Sequence, residues 1–84
     1  MPQPDTVAVR SPFAGELTLQ VRAGDRVAVG DPIGTVEAVK MEAAVRSPVA
    51  GRVRAAMTEL HVRGGDPLVW VETTRVEPTP DRTD

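Results

Sequence analysis

One side chain stands apart as a candidate for covalent chemistry, because Lys40 is the only lysine among ten basic residues in this 84-residue chain. It lies in the segment Glu37-Ala38-Val39-Lys40-Met41-Glu42 and carries the only side-chain amine. A codon bias towards arginine would also leave a lone lysine, without any function. Composition leaves both interpretations open, and the local sequence has to decide between them.

Other groupings of reactive side chains are weak. The absence of cysteine excludes disulfides, zinc fingers and thiol nucleophiles. His61 is the only histidine, so it has no partner ligand for a metal and is predicted to be a surface or turn residue. Ser11 and Ser47 have no general base as a partner, and their Ser-Pro setting is a structural explanation. We therefore predict no metal site, no catalytic residue and a non-catalytic chain.

The composition favours strands. Valine is stiff at χ1 and packs well on a sheet, and this chain has fourteen valines but only two aromatic residues, Phe13 and Trp70. Seven glycines and eight prolines leave few windows of helical length, and the longest, 52–63, begins with strand-like alternation. We expect Arg52 and Arg54 on its solvated face and Trp70 in the core. Many short strands with frequent turns predict an all-β sandwich or barrel.

The length allows one small domain, which we place at residues 6–73, with disordered tails at 1–5 and 74–84. A net charge of −2 argues against nucleic-acid binding. The longest apolar run, 67–71, is too short to span a bilayer, and no signal peptide is evident. We therefore expect no membrane partner and a cytoplasmic location.

An internal repeat organises the chain. The block Arg10-Ser11-Pro12-Phe13-Ala14-Gly15 returns as Arg46-Ser47-Pro48-Val49-Ala50-Gly51, and Gly30-Asp31-Pro32 returns as Gly65-Asp66-Pro67. Two copies predict two interlocking halves related by a pseudo-two-fold axis, each with about four strands. The second pair of blocks is offset by one residue less than the first, which indicates a one-residue deletion in the second copy. The residues Gly15, Gly51, Asp25, Asp31 and Asp66 are predicted to serve turns.

The repeat places Lys40 at the junction of the halves, between the predicted strands 33–39 and 42–45. If these strands pair directly, Val39-Lys40-Met41 is the tip of a hairpin. The tip has no Gly, Pro, Asn or Asp, and exceptions to turn chemistry are expected at functional sites.

The segment Glu37–Glu42 resembles the biotin-attachment motif of biotin carboxyl carrier (biotinyl) domains, usually Glu-Ala-Met-Lys-Met. The resemblance extends to the Ser-Pro, Gly-Asp and Gly-Asp-Pro blocks and covers about residues 7–72. It implies covalent biotin on Lys40, with Val39 and Met41 as its flanking motif residues. Val39 stands where the family usually has methionine, and the chain lacks the protruding loop of some acetyl-CoA carboxylase carriers.

The resemblance also implies a fold and a role. The fold would be a flattened barrel of two four-stranded antiparallel sheets with pseudo-two-fold symmetry, with the lysine hairpin and the termini at opposite ends. The role would be to carry CO₂ between a biotin carboxylase and a carboxyltransferase of an acyl-CoA carboxylase, as in fatty acid biosynthesis, after modification by a biotin protein ligase. Glu37 and Glu42 would either help the ligase to recognise the lysine or form a solvated charge pattern.

Two alternatives remain open at this point. A lipoyl domain shares the fold and also modifies a hairpin lysine, but usually reads Asp-Lys-Ala where this chain has Val-Lys-Met. A β-barrel interaction module with an unmodified lysine is the other.

Overall fold

A computed structural model describes residues 4–74, which form two four-stranded antiparallel sheets and no helix. Eight strands follow one another along the chain: β1 (Pro4–Arg10), β2 (Gly15–Leu19), β3 (Arg26–Val27), β4 (Pro32–Glu37), β5 (Glu42–Arg46), β6 (Gly51–Ala56), β7 (His61–Val62) and β8 (Pro67–Thr74). The all-β prediction and the number of strands are confirmed. Within residues 4–74 no helix is long and apolar enough to cross a membrane.

The first strand begins earlier than predicted. Pro4 and Asp5 pair with Thr74 and Thr73, so the boundary placed at Thr6 falls inside β1 and is wrong by two residues. These pairs extend the β1–β8 ladder beyond the apolar pattern on which the prediction relied. The other residues of the predicted tails, 1–3 and 75–84, lie outside the described part of the chain.

The sheet topology follows the repeat. One sheet has the order β1-β8-β6-β3 and the other β5-β4-β2-β7. The strands β1 to β4 of the first half correspond to β5 to β8 of the second half. Exchanging each strand for its counterpart in the other half converts the first order into the second, as a pseudo-two-fold axis between the halves requires. Each sheet contains two strands from each half, so neither half can form a complete sheet alone.

The core lies between the two sheets, as expected for alternating strands. Its apolar side chains are almost all valine, isoleucine or leucine, and the most completely buried are Ile33, Val36, Val53, Leu68, Val69 and Val71. Trp70 is half-buried instead of lying in this core, because it points away from the face that Val69 and Val71 occupy. The prediction of a core tryptophan is therefore wrong.

The two repeated blocks bind each other across the halves. Ser47 N–H donates to the Asp31 carbonyl oxygen (2.9 Å) and Gly30 N–H donates to the Ser47 carbonyl oxygen (2.7 Å). The Arg46 guanidinium donates to the Gly30 carbonyl oxygen at 3.0 Å. We call this set of hydrogen bonds between a repeated Arg-Ser block and a Gly-Asp block a clasp. The equivalent clasp joins Arg10 and Ser11 to Gly65 and Asp66 through hydrogen bonds of 2.8–2.9 Å. The serines are buried here, and each hydroxyl donates to the carbonyl oxygen two residues later.

Three turns use the same Gly-Asp chemistry. Gly24, Gly30 and Gly65 have φ of 98°, 89° and 90°, a region that glycine occupies without strain. The aspartate that follows each glycine accepts a hydrogen bond at its carboxylate from the backbone N–H three residues earlier, at 2.8–3.0 Å. This confirms the predicted role of Asp25, Asp31 and Asp66.

The one-residue deletion falls in the link 57–60, which replaces the longer link 20–25 of the first half. Without a Gly-Asp turn, this link is held by backbone hydrogen bonds. Met57 N–H donates to the Leu68 carbonyl oxygen (2.8 Å), and Leu17 N–H donates to the Leu60 carbonyl oxygen (2.7 Å).

Gly15 and Gly51 have a different role from the predicted one. Neither is among the positive-φ glycines. A Cβ on Gly15 would lie 2.6 Å from the Glu37 carbonyl oxygen. A Cβ on Gly51 would collide with the Glu72 carbonyl oxygen. Glycine is needed here because a neighbouring strand approaches too closely for any side chain.

Candidate functional site

Lys40 lies at the tip of the β4–β5 hairpin, as predicted. The last strand pair is Glu37 with Glu42, and Ala38 N–H donates to the Met41 carbonyl oxygen at 2.8 Å. Ala38 to Met41 therefore close the turn, with Val39 and Lys40 at its outer end. Val39 was predicted at the end of β4, but β4 ends at Glu37 because the chain already turns at Ala38.

The side chains of the turn face solvent. Val39 is 98% exposed, Met41 is 53% exposed, and Lys40 is exposed between them. Among the residues that the structure describes, no hydrogen bond or ion pair holds the Lys40 ammonium group. The amine is therefore accessible to an acylating enzyme without the loss of any contact within residues 4–74.

The hairpin stands on a well-anchored strand. β4 lies between β5 and β2, and its Val36 is fully buried in the core. The close approach of Gly15 to Glu37 brings β2 against the last residue of β4. The exposed turn therefore projects from a base that the core holds in place.

The turn and the Pro4–Thr74 pair, where β1 begins and β8 ends, lie at opposite ends of the described domain. The short link 11–14 carries the chain from Arg10 to Gly15, which touches the base of the turn at Glu37. The Arg10 end of β1 is therefore near the turn. The pair of Pro4 with Thr74 closes the other end of the β1–β8 ladder.

A row of ionisable side chains crosses the outer face of the second sheet at the base of the turn. Glu16 pairs with His61 on one side and with Glu37 on the other, and Glu37 pairs with Glu42. All four are exposed and directly opposed residues share a face, so three carboxylates lie side by side. Sequence reasoning found Glu37 and Glu42 beside the lysine, but it missed Glu16 and gave His61 no role.

The sequence and the fold match known proteins. The family model for biotin–lipoyl domains, described as "Biotin-requiring enzyme", matches residues 7–71. The chain belongs to the biotin–lipoyl family. This match covers the whole repeat and the hairpin, and it supports the attachment of biotin in this domain.

Relatives of this biotin–lipoyl domain include two carboxylases. A mitochondrial methylcrotonoyl-CoA carboxylase subunit alpha of Dictyostelium discoideum is 46% identical over 46 residues, covering 54% of this chain and 7% of that protein. The mitochondrial pyruvate carboxylase of Mus musculus is 33% identical over 67 residues, covering 76% of this chain and 6% of that protein. The chain therefore matches one small segment of much longer proteins.

Solved structures show the same fold. The urea carboxylase of Kluyveromyces lactis superposes with a TM-score of 0.71 and 26% identity over 80% of this chain and 6% of that one. A single-chain, multi-domain long-chain acyl-CoA carboxylase superposes with a TM-score of 0.72 and 25% identity over 92% of this chain and 8% of that one. The predicted fold of the biotin–lipoyl domain is confirmed.

The chemistry of the hairpin fits biotin. Attachment through the biotin carboxyl group requires one reachable amine, and Lys40 supplies the only side-chain amine of the chain. Val39 and Met41 flank that amine with apolar surface and no competing nucleophile.

The other candidate residues have structural surroundings. No group of three or more His, Cys, Asp or Glu within residues 4–74 is arranged to hold a metal. Arg54 donates to a Glu72 carboxylate oxygen at 3.0 Å instead of pointing only into solvent, whereas Arg52 is exposed as expected.

Proposed function

We propose that this domain is a biotin carboxyl carrier, with biotin attached covalently to Lys40 by a biotin protein ligase. The observation that carries the proposal is the position of the only lysine, exposed and unpaired among the described residues at the hairpin tip of a biotin–lipoyl domain. Carboxylase relatives favour biotin over lipoate.

The attachment step needs only the lysine amine from this chain. The deprotonated amine attacks the carbonyl carbon of an activated biotinyl adenylate, a C–N bond forms, and the bond to the phosphate oxygen of AMP breaks. AMP leaves with the proton that the amine nitrogen gives up as the amide forms. The ligase accepts the proton that the ammonium group loses. Because the product is an uncharged amide, the turn loses its only cation.

Biotin, once bound, supplies the ring nitrogen that carries CO₂ from a biotin carboxylase site to a carboxyltransferase site. The domain itself contributes presentation and no catalytic group. Its anchored β4–β5 base holds the exposed turn away from the body, and a tethered arm raises the local concentration of the cofactor at both sites.

The proposed partners are the ligase, a biotin carboxylase and a carboxyltransferase. The acyl-CoA carboxylase type is supported by the methylcrotonoyl-CoA and long-chain acyl-CoA carboxylase matches. A role in fatty acid biosynthesis and a cytoplasmic location stay predictions.

Coexpression of the full chain with a biotin protein ligase, and separately with a lipoyl ligase, tests the proposal. Intact mass should show one added biotinyl group and no lipoyl group, and Lys40→Arg should abolish the streptavidin signal while retaining the positive charge. The double variant Lys40→Arg/Arg52→Lys moves the only amine to an exposed strand position and should stay unmodified. An unmodified wild-type chain, or a lipoylated one, would refute the proposal.

A further inference from the structure

A cleft lies directly beside the lysine turn. Its volume is about 550 Å³, and its lining includes Ala14, Glu16, Glu37, Val39, His61 and Val62. The cleft therefore contains three residues of the row of ionisable side chains, and two residues of the turn itself, Ala38 and Val39. This volume is within the range of small-ligand sites, which is roughly 300–1,000 Å³.

The pseudo-two-fold axis provides a comparison within the molecule. The equivalent cleft at the other end has a volume of about 450 Å³ and is lined by Arg26, Ala50, Gly51, Arg52 and Glu72. Ala50 and Glu72 are the counterparts of Ala14 and Glu37, so the same backbone builds both clefts. Where the distant cleft has Arg26 and Arg52, the cleft beside the turn has His61 and Glu16.

The carboxylates of the two clefts are satisfied differently. Glu72 of the distant cleft accepts from Arg54 at 3.0 Å. Its counterpart Glu37 has no such arginine, because Arg54 is an extra residue at the irregularity between Val53 and Ala55 of β6, whereas the β2–β4 register is regular. Within residues 4–74 no ion pair forms with Glu37. The cleft beside the turn therefore combines apolar walls with carboxylate acceptors that no cation of the described chain occupies.

We propose that this cleft is a resting site for the ring system of the biotin carried by Lys40 of the same chain. The inference rests on the proposed function. Ala14, Val39 and Val62 offer apolar contacts to the sulfur-containing ring, and Glu16 and Glu37 offer acceptors to the two N–H groups of the ureido ring.

The tether favours this occupant over a free ligand. Val39 lines the cleft and immediately precedes Lys40, so an arm attached to Lys40 begins at the rim. Binding becomes intramolecular, and weak contacts then suffice to populate the bound state. The distant cleft has no such arm, because the chain has no second lysine.

The test uses the biotinylated full chain and proton NMR. Nuclear Overhauser effects should connect the biotin ring protons to the methyl groups of Ala14 and Val62. The double variant Glu16→Arg/His61→Arg gives the cleft the side chains of its distant counterpart and should abolish these effects. Ala14→Trp should fill the cleft and do the same, whereas Ala50→Trp, at the equivalent exposed position, should leave them unchanged.

The streptavidin association rate gives a second readout. Only the free ring system binds streptavidin, so a ring at rest for at least half the time reduces the rate about twofold or more. Ala14→Trp should therefore raise the association rate about twofold, to that of a freely exposed biotin, and Ala50→Trp should leave the rate unchanged.

The outcomes separate the two proposals. Absence of biotin from the intact mass refutes the proposed function and this inference together. The resting site alone is refuted if the biotinylated chain shows no nuclear Overhauser effects between the biotin ring and Ala14 or Val62. It is also refuted if the two tryptophan variants associate with streptavidin at equal rates. Nuclear Overhauser effects that appear only at high protein concentration indicate contact between two copies of the chain, and they also refute an intramolecular resting site.

Discussion

Replacement of Gly15 by alanine should destabilise the domain because the added methyl group has no space. The new Cβ would lie 2.6 Å from the Glu37 carbonyl oxygen, 2.9 Å from the carbonyl carbon and 3.0 Å from Val36 Cγ1. Two of these atoms belong to the backbone of a central strand, so they cannot rotate away. Overpacking of this kind costs about 1–3 kcal/mol.

That cost is large for so small a domain. A core of this size supplies roughly 3–5 kcal/mol of net stability. A loss of about 2 kcal/mol should lower the Tm by about 8–16 °C, since 1 kcal/mol corresponds to roughly 4–8 °C in a domain of 60–100 residues.

Thermal unfolding followed by circular dichroism measures this effect. Gly51→Ala, at the equivalent position against Glu72, should lower the Tm to a similar extent. Ala14→Ser, at an exposed neighbour of Gly15, should change stability by less than about 0.5 kcal/mol. A Tm for Gly15→Ala equal to that of Ala14→Ser would show that β2 and β4 do not approach as closely as described.

Two further predictions concern the clasp and the surface. Ser47→Ala removes a buried hydroxyl that donates to the Val49 carbonyl oxygen at 2.6 Å, and should cost about 1–2 kcal/mol by urea unfolding. An unchanged urea midpoint would contradict a structural role for the hydroxyl. Arg54→Ala should cost less than about 1 kcal/mol, because the side chains of the Arg54–Glu72 pair are 63% and 27% exposed. A loss of 2 kcal/mol or more in the same assay would show that this pair stabilises the fold far beyond an ordinary surface pair.

Much of the fold followed from local features of the sequence. The Gly-Asp turns were predictable because glycine at positive φ and an aspartate carboxylate close the turn within four residues. The repeat also indicated the pseudo-two-fold arrangement. The sequence did not show that the two repeated blocks bind each other, since that clasp joins residues such as Gly30 and Ser47 from different halves.

Local chemistry was misleading where a distant strand decided the role of a residue. Gly15 and Gly51 read as turn glycines, yet strands that pack against them from far along the chain exclude a side chain. Trp70 read as core because large aromatic residues usually bury their surface, but strand alternation turns it to the half-buried outer face.

The amino-acid sequence alone determined the strand-rich composition, the repeat and the single lysine at its junction, because these depend on residue types and short spacings. Only the tertiary structure brought Glu16 and His61 to Glu37 and opened a cleft beside the turn. Cross-strand pairing joins residues that are more than twenty positions apart, and a local alternation of side chains does not specify which distant strand becomes the neighbour. The lysine was therefore evident in the sequence, while its surroundings were decided by folding.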